Sequence, residues 1–157
     1  MCLNPCRVVV GIDFSAGSAD AVAEARRISD QIAGTLDLVH VATDGSAAWR
    51  GDPDAANWLA RHEVLAESLM VRVGLPWVEL ARYASETQPA MIVVGSHGGS
   101  GFHPLGLGST TARLGVVSPV PVLVVAPRAR HGAAMVAGAS RSASVDQIQD
   151  ESTGGTQ

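Results

Sequence analysis

Apolar and polar positions follow two rhythms along the chain. Four short runs carry β-branched residues at their centres: RVVVGID (Arg7–Asp13), TLDLVHVA (Thr35–Ala42), AMIVVGS (Ala90–Ser96) and VPVLVVA (Val120–Ala126). Short, nearly continuous apolar runs suit strands covered on both faces, as in a parallel sheet between helices. SLMVRVG (Ser68–Gly74) reads as a shorter fifth strand. Between the runs the apolar spacing changes to three and four residues. Val22, Ala25, Ile28 and Ile32 predict a helix over 18–33, capped by Ser15 or Ser18 and ended by Gly34. Trp58, Leu59, His62, Leu65 and Ala66 predict a second helix over 53–67, with Pro53 in its first turn. Trp77, Leu80, Ala81 and Ala84 predict a third over 76–87, closed before Pro89. A fourth begins near Gly108 or Ser109 and runs towards Val117, before Pro119.

Strands and helices therefore alternate. That order predicts an α/β domain with an open five-stranded parallel sheet, right-handed crossovers and helices on both faces. No internal repeat is present. After Pro127 the periodicity fades into Ala, Ser, Gly and polar residues. The expected organisation is a short N-terminal tail (1–6), one domain (7–127) and a flexible C-terminal tail (128–157).

Composition narrows the function classes. The chain has 157 residues, 46% hydrophobic and 17% charged, enough for one domain with a real core. A net charge of -4 argues against nucleic acid as the main partner, because phosphate backbones call for basic faces. There is no lysine, so all 11 basic residues are arginine. This excludes a P-loop lysine, a Schiff-base lysine and a lysine general base. Cys2 and Cys6 do not form a CxxC pair and have no second pair to complete a zinc site, so reduced thiols are expected. No apolar run reaches the roughly 18 residues of a membrane span. MCLNPCR lacks the apolar core of a secretory signal, and the expected location is the cytoplasm.

The stretch with chemical promise is GSHGGSGFHPLGLGST, Gly95 to Thr110. It follows the apolar MIVV run, at the carboxyl end of a strand, where open parallel sheets bind ligands. Glycines allow close backbone approach, and the next helix begins at Gly108-Ser109-Thr110 with free N–H groups and hydroxyls. This can form an anion site without lysine. It is not a P-loop, and no dinucleotide fingerprint follows the first strand; a structural loop without ligand remains the alternative on glycine content alone.

Gly95-x-x-Gly98, then nine residues, then Gly108-Ser109, resembles the G-x2-G-x9-G-[ST] pattern of the universal stress protein family. VVVGIDFSAGS, LVHVA, the stretch GLPWVELARYASETQPAMIVVGSHG and SPVPVLVV resemble that family's other segments in order. The resemblance covers about residues 6 to 127. It implies an adenine nucleotide alpha hydrolase-like sheet of order 3-2-1-4-5, a homodimer and, with the glycine pattern intact, ATP binding. By the same resemblance Asp13 sits at the adenosine end, Val41 lines the adenine pocket, and Val94 and Gly95 meet ribose and adenine through backbone. His97, Gly98, Gly108, Ser109 and Thr110 would surround the phosphates.

Two departures stand out. Phe14 occupies a position where the family often has glycine, so it either narrows the pocket or turns into the core. Between the glycines only His103 is basic, largely neutral near pH 7. Charge compensation then falls on backbone dipoles, on Mg2+ bridging the phosphates and on Arg113. No general base or arginine finger can be named, so the expected role is a nucleotide-dependent sensor with at most slow ATP hydrolysis. A dimeric scaffold that binds no nucleotide is the alternative. Both share a dimer through the last strand, Val120 to Val125, whose apolar edge invites pairing. Response-regulator phosphotransfer lacks its acidic cluster and lysine, and nothing supports a flavin site.

Overall fold

The computed structural model describes residues 6–44, 48–98 and 106–128. Five strands, β1 (Arg7–Ile12), β2 (Thr35–Ala42), β3 (Leu69–Val73), β4 (Met91–Gly95) and β5 (Val122–Val125), form one parallel sheet of order 3-2-1-4-5. The helices are α1 (Ala16–Gln31), α2 (Pro53–Arg61), α3 (Pro76–Thr87) and α4 (Ser109–Val117), with 3-10 turns at Ala48–Gly51 and Ala66–Ser68. None of the helices is long and apolar enough to cross a membrane.

The period-two alternation of a strand splits the core into two layers. Val8, Val10 and Ile12 of β1 pack with Ala21, Val22 and Ala25 of α1 and with Trp58 and Leu59 of α2. On the other face, Val9, Val39, Val41, Ile92 and Val94 pack with Leu80, Tyr83 and Ala84 of α3 and Leu114 of α4. A Cβ at Gly11 would lie 3.0 Å from a Leu80 methyl, so α3 packs closely over β1 at this point. Both β1 and β4 are central and their valines are fully buried, which explains their nearly uninterrupted apolar sequence.

Three boundaries differ from the sequence expectation. Helix α1 starts earlier: Ser15 is its cap and accepts the Ser18 N–H, while Ser18 is buried inside the first turn and returns a hydrogen bond to the Ser15 carbonyl. At its far end the left-handed residue is Ala33 (φ 48°), not Gly34. Gly34 is required for space: a Cβ there would strike the Cys6 carbonyl, which accepts the Thr35 N–H at 2.9 Å as β2 begins. Helix α2 ends at Arg61 rather than 67, because Glu63 turns left-handed (φ 53°). The Arg26 side chain closes that end, donating to the carbonyls of His62 (2.9 Å) and Glu63 (3.1 Å). Leu65, placed on the helical stripe by its spacing, is instead 65% exposed.

Polar ties fix α3 to the sheet. Arg72 of β3 pairs with Glu86 and with the buried Glu79 (3.7 Å), which also meets Arg82 at 3.0 Å. Tyr83 donates its hydroxyl to Asp37 of β2 at 2.7 Å, and Arg7 of β1 meets the same carboxylate oxygen at 3.2 Å. After β5 the chain lies against α1, where the Arg128 N–H donates to Asp20 and its guanidinium pairs with Glu24. Residues 1–5 and 129–157, with Cys2 and most of the expected tail, lie outside the described residues.

Two tests follow. Burial, reinforced by the hydrogen bond to Asp37, pushes the Tyr83 phenol up to about 12. Since Tyr83 is the single tyrosine, absorbance at the phenolate band should titrate near that value in the folded protein and near the ordinary value of about 10 when unfolded. A folded pKa above the unfolded one means this tie stabilises fully below about pH 10 and is lost as pH rises through about 12; Tyr83→Phe should flatten that alkaline decline in denaturation curves. Gly34→Ala, which drives a methyl into backbone, should lower stability by about 1–3 kcal/mol in urea unfolding.

Candidate functional site

The sheet order reverses between β1 and β4, and a cavity of about 490 Å³ opens there at the carboxyl ends of the strands. One end is apolar, built by Val39 and Val41 of β2, Val94 of β4, and Pro76 and Leu80 of α3. The other end is polar, formed by His97, Gly98 and the start of α4 at Gly108, Ser109, Thr110 and Thr111; Asp13, expected at the adenosine end, stands here too, its carboxylate against Gly98. An apolar slot leading to a patch of amides and hydroxyls can accept a planar heterocycle carrying an anionic group.

Close backbone packing makes this shape. A Cβ on Gly95 would lie 2.7 Å from the Gly17 backbone, and one on Gly17 would strike the His97 carbonyl. The first turn of α1 is thus pressed against the exit from β4. The start of α4 is drawn to the same point: the Gly108 N–H donates to the Ser96 carbonyl at 2.8 Å, and the Thr111 hydroxyl donates to the Gly95 carbonyl at 2.9 Å. Gly108 is the helix cap and offers no side chain, so no cap group of its own covers the first-turn N–H groups beside the cavity. Gly108 has ordinary extended backbone, and a Cβ there would make only normal contacts, the nearest 3.4 Å from the Ser96 carbonyl.

The charge is sparse. Asp13 is the one carboxylate among the described lining residues, and none of them is arginine. One Asp13 oxygen accepts the Ser15 N–H at 3.0 Å, and the other lies where a Cβ on Gly98 would be. The His97 Nδ1 is 3.0 Å from the Ser96 hydroxyl. No cluster of three or more His, Cys, Asp or Glu that could hold a metal exists among the described residues.

All nine residues named from the sequence as ligand-binding line this one cavity: Asp13, Val41, Val94, Gly95, His97, Gly98, Gly108, Ser109 and Thr110. The sequence reading missed Val39, Thr43, Pro76, Leu80, Ser18 and Thr111, which line it too. Val39 was within reach, because it shares a strand face with Val41. Arg113 does not line the cavity; its guanidinium sits 5.8 Å from the Trp77 ring centre on the α3–α4 side. His103 falls outside the described residues. Phe14 turns away from the cavity and into the layer of α1 and α2, with its ring 4.7 Å from His40 and 5.6 Å from Trp49. His40 is held there by its Nδ1–H, which donates to the Ile12 carbonyl at 2.9 Å.

Several solved structures share this architecture. A universal stress protein solved in complex with cAMP is 26% identical (TM-score 0.57), the match covering 80% of this chain and 99% of that one. A universal stress protein from Archaeoglobus fulgidus DSM 4304 is 27% identical over 77% of this chain and 44% of that one (TM-score 0.53). UspA from Lactobacillus plantarum, at 21% identity and TM-score 0.57, covers 78% of this chain and 98% of its own, and shows the fold alone. No curated protein sequence matches the chain. The profile of the universal stress protein family matches residues 6–126. Strand order, switch-point cavity and profile agree, and the chain belongs to the universal stress protein family.

Proposed function

We propose that the protein binds an adenine nucleotide in the switch-point cavity and acts as a nucleotide-dependent homodimeric sensor in a cytoplasmic stress response. The observation that carries this reading is the join of an apolar slot to an uncapped helix start in one cavity. Adenine would lie between Val39, Val41, Val94 and Leu80, and the phosphates near Gly98, Gly108, Ser109 and Thr110. The relative solved with cAMP supports the ligand class.

ATP with Mg2+ fits on stated terms. The cavity has room for a nucleotide, and its amides and hydroxyls can receive phosphate oxygens. The described lining supplies one carboxylate and no arginine, so Mg2+ would ride chiefly on the phosphates and offset their charge. A cyclic monophosphate is the second reading, favoured by the same sparse charge, because one negative charge asks less of the amides. Hydrolysis is slow at most in this reading, because the described lining offers no guanidinium or ammonium group to stabilise charge developing on the phosphates. Pairing through β5 supplies the dimer: its valines are only half-buried, and Val116 and Val117 beside it are 85% and 45% exposed.

Calorimetric titration of the full chain with ATP, ATP plus Mg2+, and cAMP tests this. Gly108→Val fits the backbone but puts methyl groups at the helix start. It should weaken binding by about tenfold or more, about 1.4 kcal/mol, without moving the unfolding midpoint appreciably. Light scattering should give about twice the 16.1 kDa of one chain. A wild-type chain that takes up no adenine nucleotide at millimolar concentration leaves the dimeric scaffold as the function.

A further inference from the structure

The turn between β1 and α1 is clamped from the side facing away from the cavity. Phe14, its central residue, has φ 61°, a left-handed backbone that is uncommon for a bulky side chain. Carbonyls on either side are held by aromatic donors from two other elements. The His40 Nδ1–H of β2 takes the Ile12 carbonyl at 2.9 Å, and the Trp58 indole N–H of α2 takes the Ser15 carbonyl at 2.9 Å. Between these donors sits the Phe14 ring, 4.7 Å from His40, 5.7 Å from Trp58 and stacked 5.6 Å from Trp49.

The opposite side of the same turn is the lip of the cavity. Asp13 lines the cavity, accepts the Ser15 N–H at 3.0 Å and lies against Gly98, whereas Phe14 does not line it. A ligand therefore meets Asp13 and Gly98 without touching Phe14. The packed ring, the left-handed backbone and the carboxylate against Gly98 therefore belong to one turn, with the ring on one side and the carboxylate on the other.

We propose that Phe14 is a positioning residue for ligand binding: its ring, locked between His40, Trp49 and Trp58, holds the left-handed turn that sets Asp13 against Gly98. The binding part of this inference rests on the nucleotide reading above, while the positioning part concerns the empty protein as well.

Two substitutions separate ring from backbone. Phe14→Ala removes the ring and still disfavours positive φ, whereas Phe14→Gly removes the ring and permits positive φ freely. If the competent lip falls to about one molecule in ten, apparent nucleotide affinity falls about tenfold. Phe14→Ala should show that loss, Phe14→Gly a smaller one of about threefold, and Phe14→Tyr, whose ring restores the lock, a change within about twofold. His62→Ala, which removes only a ring 4.7 Å from Trp58 at the rim of the block, should leave affinity unchanged.

The second readout needs no ligand. In the 1H–15N spectrum of the empty full-length chain, the Gly98 amide should move in Phe14→Ala and Phe14→Gly and stay in place in His62→Ala. If Phe14→Ala fails to fold, Phe14→Gly, free of the backbone penalty, carries the comparison. Wild-type affinity together with an unmoved Gly98 amide in either folded variant overturns the proposal. A moved Gly98 amide in a protein that binds no adenine nucleotide upholds the positioning role and removes the nucleotide reading alone.

Discussion

The site depends on one backbone contact, between Gly17 in the first turn of α1 and Gly95 at the end of β4. Neither position has room for a Cβ. The contact brings the elements that leave β1 and β4 together at the point where the sheet changes direction. From there the Ser96 and Gly95 carbonyls receive Gly108 and Thr111, which set the start of α4 over the same gap. Separating α1 from β4 by a single methyl group would therefore displace both walls of the polar end together. Close packing leaves little slack for such a shift.

Most of the fold was legible because the central strands obey one rule. β1 and β4 are covered on both faces, so they read as valine runs, and the glycine-rich stretch after β4 marked the cavity's polar end. The nine residues named beforehand line one cavity; their roles were carried over from the family resemblance, of which the glycine spacing is the part legible as backbone proximity. Other features depended on tertiary contacts. The early end of α2, where Glu63 turns left-handed, is closed by Arg26, 36 residues before the carbonyl it takes, and no local pattern carries that. Arg113 followed helix phase towards the phosphates but found the Trp77 face instead. Pro76 and Leu80 line the cavity from α3, which packs over Gly11 of β1, a relation between distant positions.

Charge is sparse along the described lining of the cavity. Oriented amides stabilise an anion without giving up or taking a proton, and they need no reorganisation to do so. The cavity has one carboxylate and no guanidinium among its described residues, so amides and hydroxyls make up most of its polar end. Its arginines are used elsewhere: Arg72 and Arg82 hold Glu79, Arg7 meets Asp37, and Arg26 closes α2. The basic residues thus build the frame, and the backbone builds the binding end.

An arginine-only cation set alters how the molecule carries charge in alkali. Guanidinium groups keep their protons beyond pH 12, whereas ammonium side chains begin to lose theirs near pH 10. With Tyr83 displaced upwards, the two thiols are the only side chains left to ionise between the imidazoles and the phenol. Net charge should consequently change little between the ordinary thiol range and the raised phenol.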